Sequence, residues 1–208
     1  MNNVNIDSVY SFENGVGKDS AGIYVSGDFN NDDLTIKLVG ENTITGQLPG
    51  SEISGYGFFS TTGLIFDGSG SLNISAADGN TGAGNSWSVA IYANGSVNVG
   101  AQCTITATSG VADNISAAIY ANGSVNVGDQ CTITATSGED SNISAAIYAN
   151  DGVNVGAQCT ITATSRVASY ISAAIYCSDL TLEGAKVSAG SSAGDAEVKA
   201  KIRIISDR

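Results

Sequence analysis

The chain has 208 residues, 26 of them glycine, with a formal net charge of −12 and no histidine. That charge excludes a nucleic-acid footprint, which needs cations to replace phosphate counterions, and the missing histidine excludes Ser-His-Asp, Cys-His and His-ligated zinc chemistry. The 42% hydrophobic content is too high for disorder, and no apolar run is long enough for membrane insertion.

The opening MNNVNIDSVY has no charged n-region and no apolar h-region, so no signal peptide is visible. Residues 1–20, with a strand-like Val4–Phe12, are expected to cap a domain that takes in the whole of 1–208. The next segment gathers Asp28, Asn30, Asn31, Asp32 and Asp33, oxygen ligands of the kind calcium takes, although the spacing is not that of an EF-hand. Asp28, Asp32 and Asp33 are the calcium candidates, against the simpler reading of a solvated acidic turn. Two degenerate units follow, one through Gly22-Ile23-Tyr24 and Leu34–Val39, the other through Gly57-Phe58-Phe59 and Ser71–Ser75.

Three consecutive copies then begin at Ile91, Ile119 and Ile147, with a period of 28 and no gap; a decayed fourth starts at Ile175. Ile115, Ala117, Ile119, Ala121, Val125, Val127, Cys131, Ile133 and Ala135 are all apolar and odd-numbered, and the residues between them are mostly polar. Alternation with β-branched enrichment predicts strands with one buried face. Asn122-Gly123 and Gly128-Asp129 are the expected bends, because Gly and Asn tolerate positive φ. Three short strands per repeat predict an all-β, single-stranded right-handed parallel β-helix (a β-solenoid). It would have about six coils of about 28 residues over 21–190, three strands per coil. Residues 191–208 are expected to form a cap strand, in which Val198, Ala200, Ile202 and Ile204 alternate with Lys199, Lys201 and Arg203, and edge lysines discourage further pairing.

Several rows recur with the period. Cys103, Cys131 and Cys159 should form an inward ladder of free thiols, with Cys177 taking the place of Ala93, Ala121 and Ala149. Tyr92, Tyr120, Tyr148 and Tyr176, with Tyr24 and Phe59 at matching places, offer an aromatic platform for sugar rings or a stack that only stabilises the sheet. Asn98, Asn126 and Asn154 are expected to hydrogen-bond along their own stack, with amides within reach of sugar hydroxyls. Thr104, Thr106 and Thr108, with their equivalents at 132–136 and 160–164, form a grid like the TxT face of ice-binding solenoids, or simply use a favoured strand residue. Arg166 and Tyr170 break the repeat, and no paired acidic motif of a glycosidase is present. The chain therefore reads as a non-enzyme.

The phrases Asp33-Leu34-Thr35-Ile36-Lys37-Leu38, Gly40–Gly46 (GENTITG), Gly22-Ile23-Tyr24 and AIYANGSVNV resemble a bacterial family of right-handed parallel β-helix proteins carrying carbohydrate-binding domains, common in clostridial and gut anaerobes. The resemblance covers about residues 20 to 190. It implies an extracellular or cell-surface location, pectin- or cellulose-like ligands and bound calcium. The expected function is a non-catalytic polysaccharide-binding or adhesion module, partnered by a pectin- or glucan-like polymer or a cell-surface glycan. The Tyr and Asn rows would carry it, with calcium as the one candidate cofactor and none required. The alternatives are a purely structural rod or adhesin segment, and ice binding through the threonines.

Overall fold

A computed structural model describes residues 1, 3–7, 10–13, 18–27, 33–140, 142–192 and 198–205. They are all-β and contain no helix. The strands are β1 (Asn5–Ile6), β2 (Tyr10–Glu13), β3 (Lys18–Val25), β4 (Leu34–Lys37), β5 (Glu41–Thr45), β6 (Gly55–Ser60), β7 (Leu64–Asp67), β8 (Ser71–Ser75), β9 (Trp87–Ala93) and β10 (Val97–Val99). There follow β11 (Thr104–Thr108), β12 (Ile115–Ala121), β13 (Val125–Val127), β14 (Thr132–Thr136), β15 (Ile143–Ala149), β16 (Gly152–Val155), β17 (Thr160–Ser165), β18 (Ile171–Glu183), β19 (Lys186–Ser191) and β20 (Val198–Ile205).

These strands gather into two sheets, which corrects the expected single-stranded right-handed parallel β-helix with three strands per coil. One sheet is parallel and seven-stranded, in the order β1-β5-β8-β11-β14-β17-β19. The other is mixed and 13-stranded, running from β2 and β3 through β6, β9, β12, β15 and β18, then back through β16, β13, β10, β7 and β4, with β20 added on β18. It curls around the first sheet to give a half-barrel. Two features make the difference. β18 runs unbroken for 13 residues, where earlier copies break at Asn-Gly or Asn-Asp, so it pairs with both β15 and β16 and fuses two rows into one sheet. The antiparallel pairing of β2 with β3 makes that sheet mixed.

Neighbouring repeats pair in parallel at the spacing of 28 that the sequence carries: Val97 on Val125, Ile119 on Ile147, Thr104 on Thr132. Identical side chains therefore stack in columns. Ile91, Ile105, Ile119, Ile133 and Ile147 are fully buried, filled in by Ala, Val and Cys. The parity survives the turns from Ile119 to Ala135, as expected. It fails at one point. Ala118 and Ile119 both face the main core, so Ile115 and Ala117 turn to the opposite side, into a second apolar cluster with Phe12, Tyr56, Val89 and Tyr120. Ser116, expected outside, is buried. Its hydroxyl donates to the Gly110 carbonyl at 2.7 Å and lies 2.9 Å from the Ser109 hydroxyl. Ser144 repeats the arrangement with Gly138 and Ser137.

The corner glycines also differ from expectation. The left-handed residues at the repeated corners are Gln102, Gln130 and Gln158, with φ of 66°, 60° and 58°, not Gly123 or Gly128. The glycines permit close stacking instead. A Cβ on Gly138 would come 2.1 Å from the Gly110 oxygen, and one on Gly123 would come 2.6 Å from the Ser96 hydroxyl.

Candidate functional site

The pairing register places Tyr24, Phe59, Tyr92, Tyr120, Tyr148 and Tyr176 in one column on the outer side of the large sheet. The rings stack on one another. Successive centroids lie 5.5, 4.6, 5.4, 4.7 and 4.8 Å apart, with interplanar angles of 3° to 23°. Tyr10 extends the stack beyond Tyr24 at 5.3 Å. At the other end the Lys199 ammonium lies 5.5 Å from the centre of the Tyr176 ring. Ring faces inside the stack are thus covered by their neighbours, and the surface receives ring edges and hydroxyls. Tyr120 is the most enclosed, only 7% exposed, with Trp87 tilted against it at 5.4 Å. Burial pushes its phenol up to about 12, and burial likewise raises Tyr92 and Tyr148. These hydroxyls stay protonated at neutral pH and remain hydrogen-bond donors.

A row of corner amides that the sequence reading passed over runs beside the rings. Asn150 donates to the Asn122 side-chain oxygen at 3.1 Å, and Asn122 donates to that of Asn94 at 2.7 Å. The Asn122 amide also reaches the Tyr92 hydroxyl at 3.3 Å. A groove of about 380 Å³ at one end combines Tyr148, Asn150, Tyr176, Ser178, Lys199 and Lys201. Nearer the other end, a cleft of about 340 Å³ is walled by Tyr56, Phe59, Trp87 and Tyr92, with Asp19, Ser54 and Asn85 as polar members. Tyr56 and Phe59 meet edge to face at 5.0 Å, at an angle of 78°. The buried Asp19 carboxylate accepts a hydrogen bond from the Ser54 backbone at 3.1 Å. Tyr56, the buried aromatic of this cleft, has its pKa raised well above 10 by burial and by Asp19. Trp87, Tyr56 and Asp19 were not singled out from the sequence, because they lie in the degenerate units where no period marks them.

Asn98, Asn126 and Asn154 do form the expected chain. Asn154 donates to Asn126 and Asn126 to Asn98, each at 2.8 Å, and Asn98 donates to Asp33 at 3.2 Å. They sit on β10, β13 and β16, one corner away from the tyrosines. There they line a separate groove of about 470 Å³ with Gly100, Gly128, Gly156, Thr181 and Glu183. The two predicted rows therefore lie on different strands and line different grooves.

Asp28 and Asp32 lie outside the described residues. Asp33 is exposed and occupied with Asn98. Among the described residues no group of three His, Cys, Asp or Glu could hold a metal. Cys103, Cys131, Cys159 and Cys177 are free and buried. The first three thiols donate to the carbonyls of Gly68, Gly100 and Gly128 at 2.8 to 3.0 Å. Burial pushes Cys103 and Cys177 up to about 11.

The threonines of β11, β14 and β17 are in register on the small sheet, next to Ser71, Asn73 and Ser75 on one side and Lys186, Ser188 and Gly190 on the other. The regular grid thus spans three strands. Arg166 and Tyr170 are exposed, Tyr170 by 77%. Tyr170 interrupts a third amide row, in which Asn142 donates to Asn114 at 2.9 Å and Asn114 to Asn85 at 2.6 Å.

In comparisons with protein-family models, curated proteins and solved structures, nothing matches the chain.

Proposed function

We propose that the chain is a non-catalytic polysaccharide-binding module of the cell exterior, and that the polymer lies along the tyrosine column. One observation carries this reading. A line of half-buried phenol rings is flanked by a row of asparagine amides and passes an aromatic cleft that holds a carboxylate. Aromatic surface beside a few convergent polar groups is the usual composition of a ligand site. Because the ring faces are covered, the column would bind sugars through hydroxyl and amide edges. Apolar contact with a sugar face would fall to Trp87 in the cleft. The partner class is a pectin- or glucan-like polymer, in keeping with the resemblance in the repeats. Asn98, Asn126 and Asn154 belong to a second groove and are assigned no contact with the same chain of sugars.

The rival reading is a structural rod or adhesin segment, and the mutual stacking of the rings favours it, since a stack that covers its own faces stabilises the sheet without a ligand. Affinity electrophoresis of the folded protein in pectins and in plant glucans separates the two. Retardation that weakens in Tyr148→Phe, which removes one hydroxyl, and in Asn150→Ala supports binding along the column. Unchanged mobility in every polymer sinks it and leaves the rod.

A further inference from the structure

The main core stays open at its last layer. Val97, Val125, Val153 and Leu180 form one column, with Ile202 of β20 next in it; Val99, Val127, Val155 and Leu182 form another, with Ile204 next. The four residues before Ile202 are buried, yet Ile202 is 57% exposed and Ile204 73%. At the opposite end the same two columns start with Leu34 and Ile36 of β4, both half-buried and alternating with exposed Thr35 and Lys37. An apolar pair on a sheet edge is a template for another strand.

We propose that β20 of one copy pairs in parallel with β4 of a second copy, joining the chains head to tail. Continuing the columns puts Leu34 on Ile202 and Ile36 on Ile204, which sets Asp33 beside Lys201. The small sheet continues in the same step. Ile6 of β1 and Ala189 of β19 stand at the two ends of one column, through Ile44, Ile74, Ala107, Ala135 and Ala163. The terminal strands also take different places. β20 covers the columns from Ile175 onward. β2 pairs with Lys18–Ala21, ahead of Ile23, the residue in the Ile175 column. Charge then selects the orientation. Lys199, Lys201 and Arg203 would face one another if two β20 edges met, and like charges directly opposite are destabilising, whereas Asp33 opposite Lys201 is favourable. The basic residues thus act as a filter on the partner. A contact between two different surfaces repeats without closing, so the product is a filament. This inference does not rest on carbohydrate binding.

Sedimentation velocity of the 208-residue protein over a wide concentration range tests it, with circular dichroism to confirm folding. The wild type should form species that lengthen with concentration. Ile204→Glu, at an exposed site, should block one end, and Asp33→Lys the other. Each variant alone should stay monomeric, and an equal mixture should give a one-to-one dimer and nothing larger. Combining Lys201→Glu with Asp33→Lys in one chain should restore growth. A wild type that is monomeric throughout, homodimers of Asp33→Lys alone, or a mixture that does not associate would each overturn the proposal.

Discussion

Asp140 is the residue at which the repeats depart most sharply from one another in chemistry. Ala112 and Ala168 hold the equivalent positions and are buried; Asp140 is 8% exposed. One carboxylate oxygen accepts from the Asn142 and Ile143 backbones at 2.6 and 3.1 Å, and the other is buried with no partner among the described residues. Burial pushes its pKa from 3.8 to about 6. A carboxyl whose pKa is raised on folding binds its proton more tightly in the native state. Its contribution to stability is therefore complete below about pH 4 and lost as pH rises through about 6. Urea denaturation across that window should show this loss. Asp140→Ala should abolish it and raise stability at pH 7 by about 1–2 kcal/mol, the cost of an unsatisfied buried polar group; an unchanged pH slope would refute the assignment. The thiols give a second expectation. With pKa values near 11 for Cys103 and Cys177, their reaction with Ellman's reagent at pH 8 should be slower in the native than in the unfolded protein. Thiolate fraction alone makes the difference on the order of a hundredfold. The inward places of Ile119, Val125, Cys131 and Ile133 were legible from period two. That of Ser116 was not, because a small hydroxyl satisfied by a neighbouring carbonyl leaves no mark in an alternation of polar and apolar residues.

At the scale of the strand and its corner, stacking distance governs more than backbone angle. Gly138 has an ordinary φ, but its missing side chain lets one corner lie directly on the Gly110 carbonyl of the corner before. Gly138→Ala should cost about 1–3 kcal/mol by overpacking. Gly190, with open space around it and no unusual φ, should tolerate alanine to within about 0.5 kcal/mol. Chemical denaturation of the pair reads the contrast directly, and equal effects would mean that close approach is not what fixes these glycines. The positive φ that the sequence suggested for the Gly and Asn corners resides at Gln102, Gln130 and Gln158. There a ladder of amides, at 3.2 and 3.0 Å, holds each unusual backbone angle against the next. Residue type alone does not reveal this, since the ladder exists only once the register does. The tyrosine column was legible as a column, but the covering of its ring faces follows from ring orientation, which the sequence does not carry. The fusion of two rows through β18 arises where Cys177-Ser178-Asp179 replaces the turn-forming Asn-Gly, a local change whose effect on sheet count only the continuous strand displays.

Over the whole molecule, stability is shared between like neighbours. Each repeat buries its Ile, Val and Cys columns against copies of themselves, so the core contacts of the middle copy are ones its two neighbours could make with each other; outside the core it alone supplies the Asn142–Asn114 amide hydrogen bond and the Asp129 carboxylate that accepts from the Ala157 backbone. Removing the 28 residues Ile119–Ala146 joins Ala118 to Ile147 and restores the sequence of an ordinary copy junction. Thr104 would then meet Thr160, Asn98 would meet Asn154, and Gln102 would meet Gln158, the same pairs of residue types as before. The shortened chain should fold cooperatively. Its dependence of unfolding free energy on urea should fall by about an eighth, in proportion to the surface no longer exposed. Its stability should drop by the intrinsic and interface energy of one repeat. It should also lose the pH slope, because Asp140 leaves with the deleted copy. Removing only the first half of that segment, Ile119–Thr132, shifts every later column out of register. An even deletion keeps the alternation, but Glu139 then takes the buried place of Val125 in its column, and a carboxylate without a partner there is costly. That variant should fail to fold. If both deletions fail, the layers are not interchangeable and a contact outside the columns holds the molecule together; if both fold, register is not what specifies it.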